Sequence, residues 1–222
     1  MKEERHMTIS EAMVQRHSVR KYLDRPISNI ARFLLEGCIT KCNEESGLHI
    51  QLITGEPKAF ALMFSGVSNY IVLAGPKNDS LDELCGYYGE KIVLFAQQLG
   101  LNTCWAGISA ASLVGAFDLD DGEAYCISIA VGYGEDHGNE RSTKVFDDVV
   151  TVSGPLPAWF RSGVDAALLA PTAMNRQSFR FELLDDGHVR VSVRRGVFSR
   201  VDLGIIKYHF EEGSGKDGSV WA

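Results

Sequence analysis

The chain has 222 residues, 45% of them hydrophobic and 23% charged, enough for one large domain or two small ones with a buried core. Its formal net charge of −7 argues against general nucleic-acid binding, which needs a basic face. The five cysteines are odd in number and scattered, so they make no disulfide framework. Cys38 and Cys42 are the only close pair, and no second Cys or His pair completes a structural zinc site. The opening Met1–Met7 lacks the apolar stretch of a secretory signal, and no apolar run approaches the roughly 20 residues of a membrane span. A cytoplasmic protein with no metal, membrane or nucleic-acid partner is expected.

Thr8 with Glu11 forms a capping box, and Ile9, Met13 and Val14 behind it predict a helix running into Arg16. Pro26 marks a break, and Ser28 is the expected N-cap of a second helix carrying Ile30, Phe33, Leu34 and Cys38. His49–Thr54 and Tyr70–Ala74 read as strands, the second a continuous apolar run of the buried kind. A long helix is expected from Ser80 to Leu99, closed by Gly100. Gly100–Gly107 reads as a loop and Tyr125–Val131 as another buried strand. Around Ser153–Pro157 the pattern breaks, giving expected units of 1–152 and 153–222. Beyond it come a helix near Trp159–Leu169 and a polar turn at Pro171–Phe179. A hairpin of Phe179–Leu184 and Val189–Val193 follows, turning at Asp185-Asp186-Gly187. A last helix is expected over Val201–Glu211, and the Gly/Ser-rich tail from Gly213 is expected to fray. Helices and strands mixed in this way indicate an α+β or α/β layered fold.

Two separated segments carry the chemistry. Arg16-His17-Ser18-Val19-Arg20 clusters fixed positive charge around a hydroxyl, which suits a phosphate or another compact anion. Spacing alone also fits a solvated helix end, where cations are favoured. Pro171-Thr172-Ala173-Met174-Asn175-Arg176-Gln177-Ser178-Phe179 strings short hydroxyl and amide groups along a turn, which suits a flat polar ring. An Asx-type turn explains Asn175 but not the whole string.

Together these segments resemble the two ends of the FMN site in the nitroreductase family. The first is similar to that family's basic-x-Ser-x-basic opening, and the second to its Pro-Ser-x-x-Asn-x-Gln-Pro-Trp turn. Pro171, Asn175 and Gln177 match that turn. Thr172 keeps the hydroxyl, and Ser178-Phe179 keeps an aromatic while losing the rigid proline. The resemblance implies Arg16 and Ser18 on the phosphate or ribityl chain, with His17 at a tolerated position. It also implies Arg20 near the N1/C2=O side of the ring, and Pro171, Thr172, Asn175 and Gln177 on its polar edge. Gly100-Leu101-Asn102-Thr103-Cys104-Trp105-Ala106-Gly107 resembles the family loop that brings backbone N–H groups to the flavin, which assigns Ala106 and Gly107. Arg141-Ser142-Thr143-Lys144 resembles the basic residues that complete the phosphate grip, with Lys144 the better match.

Family members carry the Pro-Ser turn after their second helix, where this chain reads Thr40-Lys41-Cys42-Asn43-Glu44-Glu45-Ser46, without proline and with two acids. In the family, FMN lies at a homodimer interface. The resemblance therefore implies a nitroreductase-like mixed sheet flanked by helices, α+β, built as two degenerate repeats in one chain: a fused pseudo-dimer, working as a monomer or as a homodimer of such units. The implied function is FMN-dependent NAD(P)H oxidoreductase, with hydride passing through flavin N5 to a nitroaromatic, quinone or similar acceptor. No side chain is expected to be catalytic in itself. A non-catalytic FMN carrier or sensor is the alternative, and a flavin-consuming or dehalogenating enzyme is a further one. An ordinary core with accidental turn motifs and no flavin is the remaining reading.

Overall fold

The computed structural model describes residues 6–55, 64–107, 117–151 and 154–222. Helix α1 (Ile9–Gln15) starts at the capping box, with the Thr8 hydroxyl accepting from Glu11 N and Glu11 bonding back to Thr8 N. Helix α2 (Asn29–Ser46) is capped by the Ser28 hydroxyl and ends at Gly47, whose φ of 70° is left-handed. Strands β1 (Gln51–Thr54) and β2 (Asn69–Pro76) pair antiparallel, and α3 (Leu81–Gln98) follows. It closes at Gly100 (φ 76°), with Leu101 N donating to Ala96 O and Gly100 N to Gln97 O, the Schellman pattern.

Asn102–Ala106, read from the sequence as loop, is strand β3. It pairs antiparallel with β4 (Glu123–Gly132), giving a four-stranded sheet ordered β1-β2-β4-β3. Both faces of β2 are covered. Ile71 and Leu73 join the cluster under α2 and α3, while Tyr70, Val72 and Ala74 meet Val19, Tyr22 and Phe64 on the other side. That double burial explains the continuous apolar run.

The chain then passes through one short helical turn, α4 (Phe146–Val149), and strand β5 (Val150–Thr151), which pairs parallel with β6 (Phe179–Leu183). Helix α5 (Ala158–Ala167) leads into the polar turn, and β6 forms a hairpin with β7 (Val189–Val193) before α6 (Ser199–Ser214). The boundary expected at 152/153 falls on two residues outside those described. One apolar cluster draws Leu35, Ile71 and Ile92 from before it and Phe160, Phe181 and Phe210 from after it. Among the described residues, no helix is long and apolar enough to cross a membrane.

The tail does not fray. Trp221 bridges to Val189, lies tilted with its ring 5.1 Å from that of Phe210 and donates from Nε1 to Glu211 Oε1 at 2.6 Å. Its Gly/Ser content hides two apolar anchors, Val220 and Trp221, the first of them buried.

Helices α3 and α6 touch through their backbones. A Cβ on Gly204 would lie 2.0 Å from Glu83 O, and one on Gly86 would lie 2.0 Å from Val201 O. Each glycine thus seats the other helix. Gly89, on the same helix as Gly86, faces Trp105 and Leu73.

Gly204→Ala is expected to cost at least about 3 kcal/mol, because backbone cannot yield as a side chain can. Gly37→Ala on the exposed side of α2, where a Cβ meets nothing within 4 Å, is expected to add about 0.5–1 kcal/mol. Urea unfolding of both variants measures the contrast, and equal effects would contradict the close helix contact.

Candidate functional site

The opening segment reaches the sheet by adding to its β3 edge. Ser18 bridges parallel to Thr103, and Val19 N donates to Thr103 O at 3.1 Å. This places Arg16–Arg20 beside Cys104, Trp105 and Gly107. From the other side comes the turn after α5. The two meet around one cavity of about 620 Å³, within the roughly 300–1,000 Å³ usual for cofactor sites.

Of the residues singled out in the sequence, Arg16, His17, Ser18, Arg20, Gly107, Pro171, Thr172 and Asn175 line this cavity. Ala106, Lys144 and Gln177 do not. Ala106 is wholly buried in β3. Gln177 is 2% exposed and spends its amide inside the protein, donating to Leu168 O at 3.0 Å and accepting from Lys144 N at 2.8 Å. The Lys144 ammonium in turn donates to Gln177 O at 2.9 Å. Both side chains are thus engaged with the protein itself. They form a clamp that fastens the turn to the segment after β4. Of Arg141 and Lys144, Arg141 is the one that lines the cavity.

The turn is over-determined. Met174, Asn175 and Gln177 have φ of 53°, 51° and 46°, a conformation asparagine accepts and most other side chains avoid. Asn175 N donates to Thr172 O, Gln177 N to Thr172 Oγ1, and Asn175 Nδ2 to Ser142 O at 2.8 Å. Ala173 N donates to Asp202 Oδ1 at 2.9 Å, which ties the turn to the first turn of α6.

Beneath the basic segment lies a buried charge cluster. Arg16 is 2% exposed, its Nε stands 3.9 Å from Glu90 Oε1, and that Nε has no hydrogen-bond partner among the described residues. Burial lowers its pKa, partly offset by Glu90. Arg141 donates to Arg16 O at 2.8 Å and to Met13 O at 3.0 Å. Burial, and then the charge of Arg16, bring its pKa down to about 10. Among the described residues, neither guanidinium is closed off by a hydrogen-bonded carboxylate. Burial also raises the Cys104 thiol, so this cysteine is not held as a thiolate nucleophile.

Phe198 and Asp202 also line the cavity and carried no sequence motif, and Trp105 of the Gly100–Gly107 segment lines it as well. Phe198 has φ 61° as the residue before α6, and its ring packs against Gly107, where a Cβ would lie 2.4 Å from Cε2. A bulky residue in that backbone region is uncommon.

The sequence model of the family described as "Putative TM nitroreductase" matches residues 8–214, so the chain belongs to this nitroreductase family. Among solved structures, a "putative nitroreductase" from Thermotoga maritima is 25% identical with a TM-score of 0.71, covering 95% of this chain and 85% of that one. A second, from Desulfovibrio desulfuricans and in complex with FMN, is 21% identical with a TM-score of 0.54, covering 67% of this chain and 98% of that one. A Bacteroides thetaiotaomicron protein described as an NADH dehydrogenase/NAD(P)H nitroreductase is 15% identical with a TM-score of 0.52, covering 64% and 95%. The search of curated proteins finds no match.

Burial raises the Asp202 carboxyl to about 6, although Ala173 N and the Arg176 charge oppose the rise. An acid whose folded pKa lies above its unfolded value stabilises the fold below the unfolded pKa, and that stability is lost as pH rises through the folded one. Wild type is therefore expected to lose roughly 1–3 kcal/mol between about pH 4 and pH 6 from this group. Asp202→Asn, which keeps the acceptor for Ala173 N, is expected to escape that loss. Thermal unfolding across this range checks it, and parallel curves for the two proteins would refute it.

Proposed function

We propose that the chain is an FMN-dependent NAD(P)H oxidoreductase of nitroreductase type, with one composite cofactor site. The observation that carries this reading is that a single cavity is walled by Arg16–Arg20 on one side and Pro171–Asn175 on the other. These segments lie far apart in sequence, and each resembles one end of the family's FMN site.

The residues present fit the cofactor. A buried guanidinium with an orphaned N–H beside a second arginine suits a phosphate monoester, which carries about −1.5 to −2 charge at neutral pH. Arg16, Arg141 and Ser18 would hold that end. Pro171, Thr172 and Asn175 would meet the polar edge of the ring, and Arg20 would favour negative charge developing on it. Trp105, Phe198 and Ile205 supply an apolar wall that excludes water from the bound group. When bound, FMN supplies the hydride chemistry at its N5, and the chain contributes position and field. Nicotinamide as electron source is supported by the names of the structural neighbours, and a nitroaromatic, quinone or similar acceptor by the family.

The fused-dimer reading belongs to the same proposal. A helix, an antiparallel hairpin and a helix occur in order as α2-β1-β2-α3 and again as α5-β6-β7-α6. The nearly complete Desulfovibrio chain covers only 67% of this one. In this reading residues 1–152 form one half and 153–222 the other, and the cavity lies between their contributions.

Reconstitution with FMN, removal of free flavin and anaerobic mixing with NADH or NADPH test the reading. A yellow protein that bleaches is expected. Arg16→Gln and Asn175→Ala are each expected to weaken FMN binding about tenfold or more, as for the loss of hydrogen bonds at a charged or buried ligand. A yellow protein that never bleaches would make the chain a carrier or sensor, and a colourless one would end the flavin reading.

A further inference from the structure

The carboxylate of Glu90 and the imidazole of His209 are both 0% exposed and lie behind Arg16, away from any role in the proposed chemistry. His209 Nδ1 is 3.0 Å from Ala166 O, and Nε2 is 2.9 Å from Glu90 Oε1. A carbonyl oxygen only accepts, so Nδ1 must carry a proton. The contact at Nε2 then needs exactly one more proton, held either by Nε2 against a carboxylate or by Glu90 against a bare Nε2. In both arrangements the pair is formally neutral. Glu90 Oε2 meanwhile accepts from Trp105 Nε1 at 2.9 Å.

Arg16 and Arg141 are the cationic groups facing this pair, Arg16 at 3.9 Å and Arg141 through its bonds to Arg16 O and Met13 O. Tyr208, on α6 beside His209, also feels the Glu90 charge. With the pair neutral, the two arginines leave the cluster at a formal charge of +2. With Glu90 ionised and no proton on its partner, one of those charges would be cancelled. The histidine therefore decides how much positive charge the cavity presents.

The geometry points to His209 as a positioning residue for the anionic end of the ligand. It cancels Glu90 so that the Arg16 and Arg141 charges stay available to a phosphate. This rests on the cavity taking a phosphate-bearing ligand, as in the flavin reading, and it acts through Glu90 and Arg16 without touching the ligand. It also explains why a carboxylate is tolerated behind an arginine that has an anion to bind.

The test compares wild type, His209→Gln, Glu90→Gln and the double variant, each titrated with FMN, with riboflavin, which lacks the phosphate, and with inorganic phosphate. Flavin fluorescence reads the first two and thermal unfolding the third. His209→Gln is expected to lower the preference for FMN over riboflavin about tenfold, because Glu90 then stands uncancelled near the arginines. Glu90→Gln in the same background is expected to restore it to within about threefold, a rescue that a merely structural role does not produce. Glu90→Gln alone is expected to keep the wild-type preference, since the amide accepts from Trp105 and donates to neutral His209.

An unchanged preference in His209→Gln, a double variant no better than the single, or a tenfold gain in Glu90→Gln alone would each overturn the proposal. Should His209→Gln fail to fold, the Glu90→Gln arm decides. Should wild type take up neither flavin, the flavin reading fails and the phosphate arm decides. Phosphate must then stabilise wild type and the double variant more than His209→Gln, and equal stabilisation of all three refutes the role.

Discussion

Gly86 and Gly204 let the backbones of α3 and α6 meet, and the cavity is built on that contact. Helix α3 carries Glu90 and α6 carries His209, Asp202 and Ile205, so the approach of the two helices sets both the buried charge cluster and part of the cavity wall. A side chain at either glycine would push the helices apart by more than a hydrogen bond tolerates. Close packing transmits such a shift because the interior has little free volume to absorb it.

On that frame two short segments are fixed by different means. The opening segment is held by strand-like bonds to β3, which cost it little conformational strain. The turn after α5 has three non-glycine residues at positive φ and is held by side chains: Gln177, Lys144, Thr172 and Asp202. Strain of this kind persists only where the surroundings over-determine it, and it concentrates at ligand sites. The rigid turn and the rigid edge together give the cavity a preformed shape, which lowers the ordering cost of binding.

Much of the fold was legible in the sequence because local signals agreed with it. The Thr8–Glu11 box, the Ser28 cap, the Gly100 stop and the Asp185-Asp186-Gly187 hairpin each have a local physical cause. Strand β3 was not legible, since Asn102 and Thr103 break its alternation and its pairing with β4 is non-local. The tail was misread because composition outweighed Val220 and Trp221. At the site, Arg16, Ser18 and Asn175 stood out through a family pattern. Gln177 belongs to that pattern too, yet an amide serves equally well as an internal clamp, and sequence does not distinguish the two. That Arg141 lines the cavity while Lys144 turns to Gln177 follows from packing, which no motif encodes. Glu90 had one readable sign: it shares a helical face with Gly86 and Val93, where a carboxylate requires a partner.

The central claim is that the two ends of one ligand are gripped by segments distant in the chain. A crystal structure of the protein grown with FMN tests it most directly. The phosphate is expected within hydrogen-bond distance of Arg16 and Ser18, with the ring edge against Thr172 and Asn175 of the same chain. FMN bound elsewhere, or bound with its ring edge against a second chain's turn, would contradict it.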